Sequence, residues 1–410
     1  MRNIGGDIGA RGRPDWRGAW VELDPDALVG NVAALASLCP SGTDLMPVIK
    51  ADAYGHGAPW AAHTLIESGS TVLCVATLAE AVALRRAGVA ARLLCLYEPP
   101  PDAWPVAIEA GIELSIASVE GIDAALANHG RPSARVGFHL AVDTGMCRQG
   151  LLPRQLVARG RDLARIAGSV NAIWTHLADG ADPASTSQQL ARFDEAVAQV
   201  RGNGIEVPRH VAASAAILAR LGVTYEGARP GMAIYGAIPS EFTARGTPPP
   251  IDLRPVMAVR AQAMRIETVP VGTAVGYGGT YITERRSRLA TLPVGYADGL
   301  PRALGNGVGS IIVRGQRVPI VGRMSMDSCV VDVTGCPRVT KGTVFTMLGK
   351  EGRERITIEE LALLSGTIPQ DIAVRLGARL ERTRSSHAVG LAGALDRHTG
   401  GPGPAGAGGR

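Results

Sequence analysis

The amino-acid sequence predicts an α/β protein of two unlike parts. Strand–helix repeats with a parallel sheet fill residues 17–246, and a smaller, mainly β domain follows over 247–390. Three features carry the prediction. Short apolar runs and amphipathic helical stretches alternate through the first part. The alternation stops at Thr247-Pro248-Pro249-Pro250. Beyond that proline run, β-type segments separated by glycines recur, with no long helix until Ile358–Leu364. The repeating part, roughly 220 residues, approaches the size of a (β/α)8 barrel, commonly about 250 residues. A doubly wound open sheet would show the same alternation.

Taken in order, Trp20-Val21-Glu22-Leu23 alternates as a strand, and Asp24 or Asp26 is placed to cap a helix reaching Leu38. An apolar run then leads to Lys50 and a glycine-rich loop, followed by a helix near 59–68. A strand over 71–76, a helix over 78–87 that Gly88 terminates, and a strand over 92–96 come next. The same alternation gives segments at 104–110, 114–116, 119–129, 135–142, 153–166, 170–175, 188–201 and 209–212. In the second part, strands are expected at 257–266, 288–293, 309–313, 316–320, 329–332 and 343–348. The 376–384 stretch reads equally as a strand or a helical turn. Residues 1–16 read as a flexible N-terminal segment, and 391–410, almost all Gly, Pro and Ala from Thr399 on, as a disordered tail.

Composition excludes several classes. With 46% apolar and 19% charged residues a sizeable core is expected, not global disorder. Aromatics at 4% leave little for base-stacking platforms, and the net charge of +5 is spread without a lysine-rich block, so nucleic acid is not an expected partner. Cys39, Cys74, Cys95, Cys147, Cys329 and Cys336 form no C-x-x-C pair, which fits reduced thiols in a cytoplasmic protein and argues against a zinc site. No signal peptide is visible over Met1–Arg17, and no apolar run reaches the length of about 18 residues that a membrane span requires.

The most informative stretch is Met46-Pro47-Val48-Ile49-Lys50-Ala51-Asp52-Ala53-Tyr54-Gly55-His56-Gly57. An apolar run ending on a lysine suits a buried strand with the amine at its tip. Desolvation there lowers the pKa from about 10.4, as a Schiff-base lysine needs. On these residues alone, a snorkelling lysine at a strand end is the commoner reading.

Six strings together resemble the alanine racemase family: V-I-K-A-D-A-Y-G-H-G at the lysine, H-L-A-V-D-T-G-M-C-R-Q-G (His139–Gly150), R-P-G-M-A-I-Y-G (Arg229–Gly236), V-G-Y-G-G-T-Y (Val275–Tyr281), P-V-G-Y-A-D-G (Pro293–Gly299) and G-R-M-S-M-D (Gly322–Asp327). They follow in the family's order and span the chain from Trp20 to about Arg384. The resemblance implies a TIM-type (β/α)8 barrel with a C-terminal β domain, pyridoxal 5'-phosphate as cofactor, no metal, and a homodimer with shared active sites. The implied activity is interconversion of L- and D-alanine, supplying D-alanine for cell-wall precursors.

By the same resemblance Lys50 carries the cofactor and serves as one of two bases, and Tyr277 from another subunit serves as the second. Tyr54, Ser214, Gly231 and Met232 form the phosphate cup, and a glycine at 231 permits close backbone approach to an anion. Arg229 faces the pyridine nitrogen with His176 packed on it; with a pKa above about 12 it supplies no proton. Lys50, Arg229 and His176 would provide the cationic field that lowers Tyr277 from about 10. Arg148, the Met326 N–H and Asp327 meet the substrate carboxylate, while Tyr281 and Tyr296 narrow the entrance.

Two positions depart from the family. Ala141 stands where many members carry a lysine, often carbamylated, that orients the arginine, so Arg148 needs another anion or stays looser. Ala213 replaces an asparagine before the phosphate-contacting serine. These changes open a broader-specificity or serine racemase as an alternative. A barrel-type decarboxylase or a non-catalytic carrier of the cofactor are rivals that Arg229 and Tyr277, respectively, speak against.

Overall fold

The structure is a computed structural model and describes residues 17–128, 137–246, 248–377 and 379–384. The expectations for 1–16 and 391–410 lie outside the described residues.

Eight parallel strands form the first sheet, in the order Asp44–Leu45, Gly227–Arg229, Arg209–Ala213, Val170–Trp174, Phe138–Ala141, Ile112–Ile116, Arg92–Cys95 and Val72–Val75. What separates a barrel from an open sheet is whether the two ends meet, and here they do. Val48, just past the first strand, bridges Cys74 in parallel. Ile49 N–H donates to Cys74 O, and Cys74 N–H to Pro47 O. The closed barrel agrees with the fold that the motifs implied.

Local chemistry accounts for the helices around it. Asp24 accepts the Ala27 N–H at 2.9 Å with Pro25 at the first helical position, which starts the helix Pro25–Ala36. Thr77 and Glu80 form a reciprocal capping box at Leu78–Arg86. The helical stretch expected at 153–166 is two helices, Pro153–Ala158 and Gly160–Ile166, because Arg159 leaves helical geometry with φ at −102°.

The second sheet has ten strands and its own core. It corrects one expectation. The strand Ala19–Leu23, expected within the barrel segment 17–246, pairs antiparallel with Met257–Gln262 and parallel with Glu381–Arg384. Its alternation explains the placement: Ala19, Val21 and Leu23 are buried, while Trp20 and Glu22 are half-exposed. A barrel strand covered by helices would be apolar on both faces. The expected strand at 257–266 is two strands, Met257–Gln262 and Arg265–Val269. The ambiguous 376–384 stretch ends in the strand Glu381–Arg384, after the helix Pro369–Arg375.

Candidate active site

The lysine stretch is where local structure departs most from expectation. Lys50 stands at the barrel's carboxyl end, as foreseen, but the residues after it form a turn in which Ala51, Asp52, Ala53 and Tyr54 have φ of 50°, 55°, 55° and 51°. Four successive non-glycine residues in left-handed geometry cost roughly 1–2 kcal/mol each. Nothing in their side chains asks for it, so their surroundings impose it. The turn brings the Lys50 amine to 5.9 Å from the centre of the Tyr54 ring.

Lys50, Tyr54, Arg148, His176, Ser214 and Arg229 line one cavity of about 440 Å³, with Gly231 and Met232 in its wall. That volume suits a small cofactor with substrate. Burial lowers the Lys50 amine, Arg148 lowers it further, and Glu80 partly opposes both.

Arg229 is 2% exposed and held on several sides. Its Nη1 donates to His210 O at 2.7 Å and to His210 Nδ1 at 2.6 Å. Its Nη2 donates to Thr175 O at 2.7 Å and Val211 O at 3.1 Å, with His176 Nδ1 at 3.5 Å. The guanidinium also lies over Trp174, 4.7 Å from the ring centre. No acceptor among the described residues engages Nε. Burial pulls Arg229 down to about 10, with Arg148 adding to the shift, below the value expected from its type but still protonated at neutral pH.

Behind Arg229 runs a buried polar chain that sequence reasoning missed. His210 Nε2 meets His139 Nδ1 at 2.9 Å, and His139 Nε2 meets Glu113 at 2.8 Å. Arg92 closes the chain on Glu113 at 2.7 Å. A carboxylate only accepts, so His139 carries its proton on Nε2; its Nδ1 then accepts from His210, whose Nδ1 in turn accepts from Arg229. Both imidazoles are thereby neutral, and burial lowers both pKa values. Burial alone would raise Glu113, but hydrogen bonds from His139 and Arg92 hold it down at about 2. The available signal was a polar residue inside each of three apolar strands: Glu113, His139 and His210.

His176 corrects another expectation. Burial, then Arg229, Arg148 and Lys50, push it down to about 3, so it is neutral and adds no charge to the cationic field expected of it.

At the other end of the cavity, Ser214 Oγ accepts the Gly231 N–H at 2.9 Å and the Ala233 N–H at 3.3 Å. The Met232 N–H has no acceptor among the described residues. Gly231 is small for a reason beyond close approach to an anion: a Cβ there would stand 2.6 Å from the Tyr54 hydroxyl. Arg148, for which Ala141 leaves either another anion or a looser side chain, also lines this cavity. It makes no ion pair among the described residues and lies 5.7 Å over the Tyr97 ring.

A lysine amine, a tyrosine hydroxyl, the unengaged Met232 N–H at one end and an unengaged guanidinium Nε at the other fit pyridoxal phosphate in donor chemistry. Lys50 would hold its aldehyde carbon, Arg229 its ring nitrogen, and Tyr54, Ser214, Gly231 and Met232 its phosphate.

The remaining expected residues lie elsewhere, on one face of the β domain. Tyr277 is 70% exposed, Met326 52% and Tyr296 39%. The Tyr277 turn packs at Gly276 against Arg323, and Tyr296 N–H donates to Ser325 O. Asp327 accepts from Arg379 at 2.7 Å, and the Met326 N–H has no acceptor among the described residues. Tyr281 pairs with Val275 beside them. None of these five lines the cavity of its own chain.

Two family models cover the chain: alanine racemase, N-terminal domain, over residues 23–239, and alanine racemase, C-terminal domain, over 256–384. The alanine racemase of Desulfovibrio desulfuricans is 38% identical over 370 residues, which are 89% of this chain and 98% of the relative. That of Methanococcus maripaludis is 34% identical, covering 88% and 97%. Among solved structures, alanine racemase from Bacillus anthracis with bound L-Ala-P superposes with a TM-score of 0.82 at 33% identity, over 91% of this chain and 96% of that one. The enzyme from Bartonella henselae with covalently bound pyridoxal phosphate gives 0.79 at 30% identity, over 90% and 99%. With both of its domains matched and the fold shared over 90% of its length, this chain belongs to the alanine racemase family, pyridoxal-phosphate-dependent isomerases.

Proposed function

We propose that this chain interconverts L- and D-alanine with Lys50 and Tyr277 as the two bases, in a homodimer whose active sites combine residues of both copies. The observation that carries the reading is the convergence of Lys50, Tyr54, Ser214, Gly231 and Arg229 on one cavity, with Tyr277 exposed and outside its lining. Bound there, pyridoxal phosphate supplies the electron sink that makes an amino acid's α-proton removable.

The chain's own groups do the rest. The lowered pKa of Lys50 lets its amine take or give the α-proton on one side. Tyr277 of a second copy exchanges it on the other, which inverts the centre. Arg229 donates from Nε but keeps its proton. Arg148 and the Met326 N–H take the substrate carboxylate, Asp327 stands beside them, and Tyr281 and Tyr296 restrict side-chain size. Six free cysteines support a cytoplasmic, reducing setting. No helix of the described residues is long and apolar enough to cross a membrane. The product D-alanine would supply cell-wall precursors.

Mixing two inactive variants tests the shared site. A dimer of one Lys50→Ala chain and one Tyr277→Phe chain holds one site with both bases and one with neither. Random reassociation therefore restores about a quarter of all sites. Recovery of D-alanine formation on mixing is the expected result; no recovery, with heterodimers demonstrated, places both bases in one chain and overturns the reading.

A further inference from the structure

The left-handed turn after Lys50 is held by contacts from three directions. Glu80 of the barrel accepts the Ala51 N–H at 2.7 Å. Asp52 accepts the Ala58 N–H at 2.7 Å, closing the turn on the next helix. Arg382 reaches in from the β domain: its Nη2 donates to Asp52 Oδ2 at 2.7 Å and to Gly55 O at 3.0 Å. Beside it the helix Pro369–Arg375 presses so close that a Cβ on Gly55 would stand 2.2 Å from Ala373 O. Arg382 is itself anchored, because its strand pairs residue by residue with Trp20 to Leu23.

We propose that Arg382 is a positioning residue for Lys50 and Tyr54, a latch by which the β domain holds the cofactor-bearing turn in its left-handed form. The inference rests on the reading of Lys50 given above. The turn fixes the separation between the amine at its start and the hydroxyl at its end. L-residues prefer other backbone geometry, so releasing Asp52 and the Gly55 carbonyl together lets the turn relax. The amine and the phosphate-binding hydroxyl would then lose their common frame. The contact also gives a purpose to the unusual path of the chain, which returns its last described strand to the side of its first.

The test compares Arg382→Ala, Arg382→Lys and Asp52→Asn holoenzymes with the parent. Three readouts serve: the fraction of chains with cofactor trapped on Lys50 by borohydride and located by mass spectrometry, kcat and KM for alanine, and the unfolding midpoint. For Arg382→Ala we expect weaker cofactor retention and a fall in kcat on the order of 10²-fold, as displaced reacting groups produce, with KM changed less. Arg382→Lys, which keeps the cation but not the guanidinium fork, should recover part of both losses. Asp52→Asn keeps an acceptor for Ala58 N–H and should fall between. Parent-like trapping and a kcat within about twofold in Arg382→Ala overturn the proposal. So does a lowered unfolding midpoint with trapping and kcat unchanged, the mark of a merely structural tie. If Arg382→Ala does not fold, parent-like values in both milder variants overturn it. Cofactor trapped on another residue of the parent would instead refute the reading of Lys50, whatever the variants do.

Discussion

The barrel cavity and the β-domain face hold the two halves of the same proposed chemistry, yet they are built in opposite ways. In the cavity the reactive groups are buried, and their pKa values are moved by burial and by one another: Lys50 downward, His176 to about 3, Arg229 to about 10. The donors not engaged by protein belong to Met232 and Arg229, both in the cavity's lining. On the β-domain face, Tyr277 and Met326 stand more exposed than buried, and the Met326 N–H is unengaged. The difference teaches that one half-site is organised by its own fold, while the other, on the reading proposed above, is completed by a second copy. Variants in the two regions should therefore fail differently.

The largest effect is expected on the exposed half. Tyr277→Phe should lower racemisation by on the order of 10²–10⁴-fold, with α-proton exchange in deuterated water lost far more from one enantiomer than from the other. Equal residual exchange from both would contradict the assignment of separate bases. Because Tyr277 is exposed, this variant should leave the unfolding midpoint where it was.

Next comes Arg229→Glu in the buried half. A carboxyl group there can carry a proton that arginine does not give up, so abortive transamination of alanine to pyruvate should rise. The new group would also face the carbonyls of Thr175, His210 and Val211 without their former donor, so stability should fall as well. An unchanged pyruvate yield would remove Arg229 from its assigned role.

Glu113→Gln tests the chain behind Arg229 with a smaller effect, about 1–3 kcal/mol of stability. The sign with pH follows from the depressed carboxylate. Its folded pKa of about 2 lies below its unfolded value, so its contribution is complete above the unfolded pKa and disappears as pH falls through 2. The parent and Glu113→Gln should differ most at neutral pH and converge in acid. A gap that stays constant from pH 7 to pH 2.5 would show that the charge is irrelevant.

The last prediction concerns the neutral buried histidines. His56 titrates at about 4 and His176 at about 3, both depressed chiefly by burial. The unfolded chain protonates first, near pH 6.5, so their contribution is full above that pH. It is lost as pH falls towards 4 and 3, at up to about 1.4 kcal/mol per pH unit for each histidine. Denaturant midpoints measured from pH 7 to 4.5 should fall, and His56→Gln should make the decline shallower. A flat profile in the parent would mean these rings are not buried neutral.

Much of this was legible in the sequence, because it rests on local pattern. The alternation of strands and helices, the break at Thr247-Pro248-Pro249-Pro250, and the lysine, arginine and tyrosine motifs are all written in short windows. Ala141, a single missing side chain, was readable as taking away a partner of Arg148, which makes no ion pair among the described residues. The chain Arg92–Glu113–His139–His210–Arg229 was half legible. Its members are conspicuous polar residues in apolar strands, but their order depends on which strands are neighbours.

What the sequence determined by itself is the inventory: a barrel-sized set of strand–helix repeats, a β domain, and the groups able to hold a cofactor and move a proton. What only the tertiary structure decided is closure, membership and backbone handedness. Val48 meets Cys74 and makes a barrel of what could have been an open sheet. Ala19–Leu23 joins the β domain although most of the barrel lies between it and its partners in the chain. The turn after Lys50 runs left-handed although Ala-Asp-Ala-Tyr has no such preference. All three are set by contacts between residues far apart in sequence: Arg382 and Asp52 are 330 positions apart. Local preferences, even the roughly 1–2 kcal/mol per residue against a left-handed turn, give way to such contacts once the rest of the chain has packed around them.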